Sequence, residues 1–138
     1  MMRGLIGGSL LPVLLAACST TREVFPPLAG HWLPQSAVLG GQDFPVSNFD
    51  GAALNLTTES YEFAGDWGTY VLLDWDGSGG MDIHGVHGPN AGRTIPAIYE
   101  LDWDQLVICY QLGAGDRPEG FESPAGSQVL LVRYSRGL

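Results

Sequence analysis

Short stretches of alternating apolar and polar residues run along most of this chain, and residues typical of turns separate them. Alternation with a period of two is typical of β-strands that bury one face. No window of eleven residues keeps the 3.6-residue period of a helix, so we expect at most one or two helical turns, around Val46–Phe49. The pattern predicts eight short strands, at residues 31–39, 52–58, 61–64, 68–74, 81–84, 95–101, 105–112 and 128–135.

Eight short strands in a chain of 138 residues predict a single all-β domain, and the 20 glycines and 9 prolines supply its turns. An open sheet would leave two unpaired edges, whereas closure into a barrel removes them. We therefore predict a small eight-stranded antiparallel up-and-down barrel. A barrel of this size is either filled by its own side chains or holds one small ligand, and the two states imply different functions.

The first eighteen residues have the composition of an export signal. A short positive segment (1–3) precedes an apolar segment (4–15), and small residues follow before Cys18. The segment is too short to cross a membrane as a helix. The sequence Leu-Ala-Ala-Cys that ends at Cys18 resembles the bacterial lipobox, in which the thiol is diacylated and the chain is cut just before it.

The lipobox resemblance implies a lipoprotein signal peptide over residues 1–17, a lipidated cysteine and tether over 18–27, and the barrel domain over 28–138. Two or three acyl chains would anchor the protein permanently, since one chain alone binds a membrane only marginally. Ser19 stands where Asp would imply retention at the inner membrane, by resemblance to enteric lipoproteins. We therefore expect a lipid-anchored protein of the bacterial cell envelope, on the periplasmic face of the outer membrane.

Cys109 has no predicted disulfide partner once Cys18 carries lipid. It lies in an apolar run over residues 106–110, where a cysteine is expected to pack as a small buried hydrophobe. A catalytic thiol would need an accessible, electropositive setting, and this run does not offer one.

Negative charge dominates the chain from Cys18 onward. Five arginines and no lysine stand against fifteen Asp and Glu residues, which gives a formal charge of −10. Nucleic acid and anionic lipid surfaces are therefore not expected as partners. The charge fits both solubility beside a membrane and attraction to a basic protein.

The segment Gly30-His31-Trp32 stands at the entry to the first predicted strand. It resembles the Gly-x-Trp signature of lipocalins and the wider calycin group, in which the tryptophan plugs the closed end of the barrel. In that group an arginine of the last strand lies over the tryptophan ring. The resemblance implies a structural, barrel-closing role for Gly30, Trp32 and, in the last predicted strand, Arg133.

The downstream half of the chain carries further motifs, "YELDWDQLVIC" over residues 99–109 and "RPEGF" over residues 117–121. In order, they resemble an uncharacterised lipocalin-like domain family abundant in planctomycetes, and the resemblance covers about residues 28–136. This chain departs from that family in having no Lys-rich turns, and Gly-Gly-Met-Asp replaces a proline-led fifth strand. Because the family has no established activity, the resemblance supports the fold more than a function.

Two acidic or histidine-containing segments are weak candidates for metal binding. The first, over residues 74–85, begins like a calcium loop, but Gly85 occupies the twelfth position, where a bidentate Glu is needed. An acidic hairpin turn is the alternative. The second, over residues 82–87, could hold zinc at the end of a strand. The alternative is that its imidazoles are solvated. We predict no bound metal or other cofactor. The candidate ligands are Asp74, Asp76, Ser78 and Asp82 for calcium, and Asp82, His84 and His87 for zinc.

The chain contains no nucleophile elbow, no phosphate-binding glycine loop and no Ser-His-Asp ordering, so we predict a non-enzymatic protein. One hypothesis is a carrier that binds a small apolar or amphipathic molecule in the barrel. The other is an interaction module, such as an inhibitor or immunity-type partner of a basic envelope hydrolase. The candidate ligand-binding residues are Tyr70 and Tyr99 in the interior, with Arg117 and Phe121 in the long loop over residues 113–127.

The long loop also has a structural interpretation. Arg117 could instead pair with an acid such as Glu119 or Glu122, and Phe121 could hold the loop against the barrel, because a loop of this length needs internal anchors. For the carrier hypothesis, the expected interior also includes Leu54, Leu56, Phe63, Leu72 and Ile108.

Overall fold

A computed structural model describes residues 27–74 and 76–137 of the chain. The predicted signal peptide, Cys18 and all of the tether except Pro27 lie outside these residues. Within them, no helix is both long enough and apolar enough to span a membrane. The elements are β1 (Gly30–Leu39), β2 (Gln42–Asp43), a 3-10 helix (Val46–Phe49), β3 (Leu54–Leu56), β4 (Ser60–Phe63), β5 (Asp66–Leu72), β6 (Ser78–His87), β7 (Thr94–Asp102), β8 (Gln105–Gln111) and β9 (Val129–Arg136).

The strands form one closed antiparallel barrel. From β3 to β9 each strand pairs with the next, β1 pairs with β3, and the β1–β9 pairing closes the ring. This confirms the predicted eight-stranded up-and-down barrel and the single helical turn at Val46–Phe49. The ninth strand, β2, is an addition outside the ring.

The segment Gly40-Gly41-Gln42-Asp43 follows the first predicted strand, among the residues typical of turns. Both glycines have positive φ, 61° and 83°, which suits a tight two-residue hairpin turn. The two residues after the turn then pair with Val38 and Leu39 and form β2. A strand of two residues is too short for a hydrophobic alternation to reveal it.

The interior of the barrel contains the inward-facing residues of all eight strands. Trp32, Ala97 and Leu106 are fully buried, and Tyr99 and Ile108 are almost so. A second, smaller apolar cluster lies on the outside of the barrel. There Cys109, Val129 and Leu131 are buried and pack with Phe121 of the long loop.

Cys109 has the structural role that its apolar surroundings suggested. Its side chain is fully buried, and the thiol donates a hydrogen bond to the carbonyl oxygen of Glu122 at 3.5 Å. Burial raises the pKa of the Cys109 thiol, so the neutral form is favoured. The residue ties the long loop to the outer face of β8.

Trp32 closes one end of the barrel, and the arginine over its ring is Arg136. The guanidinium carbon of Arg136 lies 4.2 Å from the Trp32 ring centroid. The assignment of this role to Arg133 is therefore wrong. The antiparallel register places Arg136 opposite Trp32, and side chains alternate along β9, so Arg133 points outward and is exposed.

The closed end is held by a dense set of contacts to Arg136. Its guanidinium donates to the carbonyl oxygens of Pro27 (2.8 Å), Ala29 (3.3 Å) and Trp103 (3.0 Å). A β-carbon at Gly30 would lie only 2.7 Å from Nη1 of Arg136. The glycine of the Gly-x-Trp motif therefore leaves space for the guanidinium.

Candidate functional site

The barrel interior contains a cavity of about 240 Å³. Its wall is formed by eleven aliphatic, methionine or phenylalanine side chains, four tyrosines and three polar or charged residues. The apolar residues are Phe49, Leu54, Leu56, Phe63, Met81, Ile83, Ile95, Ile108, Leu112, Leu130 and Val132; the others are Tyr61, Tyr70, Tyr110, Tyr134, Asp66, Asn90 and Arg93.

The cavity reaches the surface at the end of the barrel opposite Trp32. Asp66 begins β5, Arg93 precedes β7 and Leu112 follows β8, and these strand ends all lie at that opposite end. Arg93 lines the cavity and is also exposed to solvent. A small molecule could therefore enter beside Arg93 without disturbing the closed end.

The loop between β6 and β7 positions two polar residues at this opening. Two main-chain hydrogen bonds close its base: Gly85 N donates to Arg93 O, and Gly92 N donates to Gly85 O, each at 2.9 Å. A side chain at Gly85 would collide with the carbonyl oxygen of Asn90. The absence of a side chain there allows the loop to fold tightly over β6.

A chain of hydrogen bonds runs along the rim of the cavity. The Asn90 amide donates to Asp66 Oδ2 at 2.7 Å and accepts from Arg93 Nη1 at 3.0 Å. Arg93 Nη2 also donates to the carbonyl oxygen of Leu112 at 2.6 Å. The amide thus separates the carboxylate from the guanidinium, and the network connects three neighbouring parts of the opening.

Tyr61 connects this rim to the interior. Its hydroxyl donates to Asp66 Oδ2 at 3.4 Å. Burial, with a further contribution from the nearby Asp66 carboxylate, raises the pKa of Tyr61 to about 12. The phenol therefore remains neutral at physiological pH.

Two further tyrosines meet inside the barrel. The hydroxyl oxygens of Tyr110, on β8, and Tyr134, on β9, lie 2.7 Å apart, so one hydroxyl donates to the other. Burial raises the pKa of both phenols well above the ordinary value. Their surroundings disfavour a negative charge, and both stay neutral.

Of the two tyrosines predicted from the sequence as ligand contacts, one lines the cavity and the other does not. Tyr70 lines the cavity, and its hydroxyl donates to Thr57 O at 2.6 Å. Tyr99 is 2% exposed, and its hydroxyl donates to Asp74 O at 2.8 Å, near the closed end. Tyr99 is not among the cavity-lining residues, so it is a core residue and not a ligand contact.

Most of the other expected interior residues also line the cavity. Leu54, Leu56, Phe63 and Ile108 belong to its wall. Leu72 packs against the core without reaching the cavity. The inward alternation of the strands was therefore interpreted correctly from the sequence.

Arg117 and Phe121 lie away from the cavity. Arg117 crosses from the long loop to the β6–β7 pair, where it donates to Asp82 Oδ1 at 2.6 Å and to the carbonyl oxygens of Met81 and Ala97. Phe121 packs in the outer cluster. Their assignment as ligand contacts is corrected: both hold the loop on the barrel, and the acid that pairs with Arg117 is Asp82 and not Glu119 or Glu122.

The metal candidates are not brought together. Among residues 27–74 and 76–137, no group of three or more His, Cys, Asp or Glu side chains is placed to hold a metal ion. Asp82 is paired with Arg117. His84 Nδ1 lies 3.0 Å from the Thr94 hydroxyl, and the His87 ring stacks on Trp67 at 5.8 Å.

The remaining calcium candidates, Asp74, Asp76 and Ser78, are exposed at and beside the hairpin turn between β5 and β6.

The rim network and the tyrosine pair were not predicted from the sequence. Tyr110 has the same parity as the inward Leu106 and Ile108, and Tyr134 has that of Val132, so the alternation itself could have identified both. No alternation could have identified Asn90 and Arg93, because they lie in the turn between β6 and β7.

Comparisons of the chain with protein-family models, curated proteins and solved structures found no match. The resemblance to a lipocalin-like family of planctomycetes therefore remains a prediction that rests on its motifs.

Proposed function

We propose that this protein is a non-enzymatic binding protein whose barrel takes up one small, largely apolar molecule. The observation that carries the proposal is the cavity of about 240 Å³ at the end opposite Trp32. An engineered apolar cavity of about 150 Å³ in another protein is large enough to bind benzene. By that scale this cavity would accept roughly ten non-hydrogen atoms.

The composition of the wall supports an apolar ligand. Most of its side chains are aliphatic or aromatic, and the charged residues Asp66 and Arg93 are confined to the rim. Small-molecule sites commonly combine an apolar wall with a few placed polar groups. A ligand would therefore bury its apolar part among residues such as Ile83, Ile108 and Val132.

Benzene provides a direct test, because a ligand that binds only the folded state raises the melting temperature. We expect benzene to raise the melting temperature of the wild type. Val132→Phe should reduce that rise, since the larger side chain occupies part of the cavity. The matched control is Val71→Phe, on the outside of β5, where the side chain is 50% exposed. No rise in the wild type, or an equal rise in Val132→Phe, would contradict the proposal.

We also propose that the barrel is anchored by lipid on Cys18 at the periplasmic face of the outer membrane. The Leu-Ala-Ala-Cys sequence supports this proposal. Labelled palmitate should enter the protein and should be lost in Cys18→Ala. The interaction-module alternative remains a prediction, since the charge of −10 fits either function.

A further inference from the structure

The Tyr110–Tyr134 pair leaves one hydroxyl proton without a protein acceptor. Two phenols carry two protons, and the single hydrogen bond between their oxygens uses one of them. Within residues 27–74 and 76–137 neither hydroxyl makes another hydrogen bond. Tyr134 is 3% exposed, and Tyr110 is partly buried and packs against the core, so the pair lies mostly away from bulk water. Buried hydroxyls are normally satisfied, and leaving one without a partner is costly.

The other two tyrosines of the wall have acceptors for their protons. Tyr70 donates to the carbonyl oxygen of Thr57, and Tyr61 donates to the Asp66 carboxylate. Both Tyr110 and Tyr134 line the cavity, so a molecule inside it can reach their oxygens. Among the described residues, the pair therefore offers a spare donor surrounded by apolar side chains, whereas the unused N–H groups of Asn90 and Arg93 lie at the rim.

The geometry points to the kind of molecule that would satisfy this donor. We propose that the cavity selects small uncharged molecules with a hydrogen-bond acceptor, such as a carbonyl or ether oxygen, and that the spare proton of the Tyr110–Tyr134 pair binds that acceptor. This inference rests on the proposed binding function and specifies its ligand class.

The surroundings of the pair favour a neutral acceptor over a carboxylate. The wall near the pair is apolar, with Ile108 and Val132 on the same two strands. Burial raises the pKa of both phenols, which is the effect expected where an anion is poorly solvated. The guanidinium of Arg93, which bonds to Asn90 and to Leu112 O, lies at the rim and not beside the pair. A charged ligand would pay for desolvation inside the barrel.

Three probes of matched size and shape separate these possibilities: acetophenone, cumene and benzoate. Acetophenone carries a neutral carbonyl, cumene carries no acceptor, and benzoate carries a charge. The informative variant is the double substitution Tyr110→Phe with Tyr134→Phe, because either single variant still leaves one hydroxyl proton. Removing both partners of one hydrogen bond is expected to leave the fold nearly unchanged, which the melting temperature checks.

The affinities are measured by calorimetry on the purified full-length protein. We expect the double variant to bind acetophenone at least about fivefold more weakly, because a buried acceptor loses its donor. Its affinity for cumene should stay the same or rise. Benzoate should bind the wild type at least about tenfold more weakly than acetophenone. Tyr99→Phe, which removes a buried hydroxyl outside the cavity, is the matched control and should change none of these affinities.

Each contrary result has a distinct meaning. If acetophenone and cumene both bind and the double variant weakens them equally or not at all, the tyrosine pair does not select the ligand. Benzoate binding more tightly than acetophenone would also overturn this inference. If neither acetophenone nor cumene binds, both the inference and the proposed binding function fail.

Discussion

Arg136 and Arg133 lie on the same strand but on opposite faces, so they offer a matched test of how the barrel is closed. Arg136→Ala removes the stack on Trp32 and three hydrogen bonds to main-chain carbonyl oxygens. Arg133→Ala removes an exposed side chain of the same size and charge. Only the first substitution should destabilise the closed end.

The contacts of Arg136 set the size of the expected effect. A cation–π contact contributes about 0.5–2 kcal/mol, and hydrogen bonds from a partly exposed charged group add about 1 kcal/mol or less each. The ion pair with Asp104 adds little, since that carboxylate is 80% exposed. We expect Arg136→Ala to lower the free energy of unfolding by about 2–4 kcal/mol. Arg133→Ala should change it by less than about 0.5 kcal/mol.

Urea denaturation measures both variants directly. The midpoint should fall in Arg136→Ala with little change in the slope, because the area exposed on unfolding is nearly the same. Arg136→Lys should be intermediate, since an ammonium keeps the charge but not the planar stack. Equal losses for the two alanine variants, or a larger loss for Arg133→Ala, would refute the described closure.

Two further predictions concern the long loop and the buried phenols. Arg117→Ala removes the ion pair with Asp82 at 2.6 Å and two hydrogen bonds to the carbonyl oxygens of Met81 and Ala97. It should speed hydrogen exchange in residues 112–128 and lower the free energy of unfolding by about 1–2 kcal/mol, because the paired side chains are partly exposed. Unchanged exchange would show that Arg117 does not hold the loop. The pKa of Tyr61 and Tyr70 is raised to about 12 in the fold, so their neutral forms stabilise it fully below about pH 10, and this contribution is lost as pH rises from about 10 to about 12. The unfolding free energy should fall there by at most about 1.4 kcal/mol per pH unit for each phenol, and a flat profile in urea titrations would contradict the burial argument.

Local alternation was sufficient to predict the barrel. Each of the eight predicted strands corresponds to one strand of the ring, because one face of every strand is buried and the period of two is therefore visible. The boundaries were less accurate where glycines interrupt the pattern. The strand β6 extends beyond the predicted residues 81–84 at both ends, since Gly79 and Gly80 were interpreted as part of a turn and the strand was ended before Gly85.

The errors at the site have two physical origins. Arg133 was assigned to Trp32 because it lies in the last predicted strand, without regard to which face of that strand it occupies. The alternation that buries Val132 and Tyr134 also directs Arg136 inward. The partner of Arg117 lies 35 residues away in the sequence. No local pattern determines the path of a long loop, so an acid within the loop was the nearer choice.

Xenon binding followed by methyl NMR tests most directly whether the barrel interior is an accessible apolar cavity. Xenon enters apolar cavities without needing polar contacts. The described fold predicts shifts for the methyl groups of Leu54, Ile83, Ile108 and Val132, which line the cavity, and none for Val71 on the outer face. No shift at the lining methyl groups, or equal shifts inside and outside, would contradict the account.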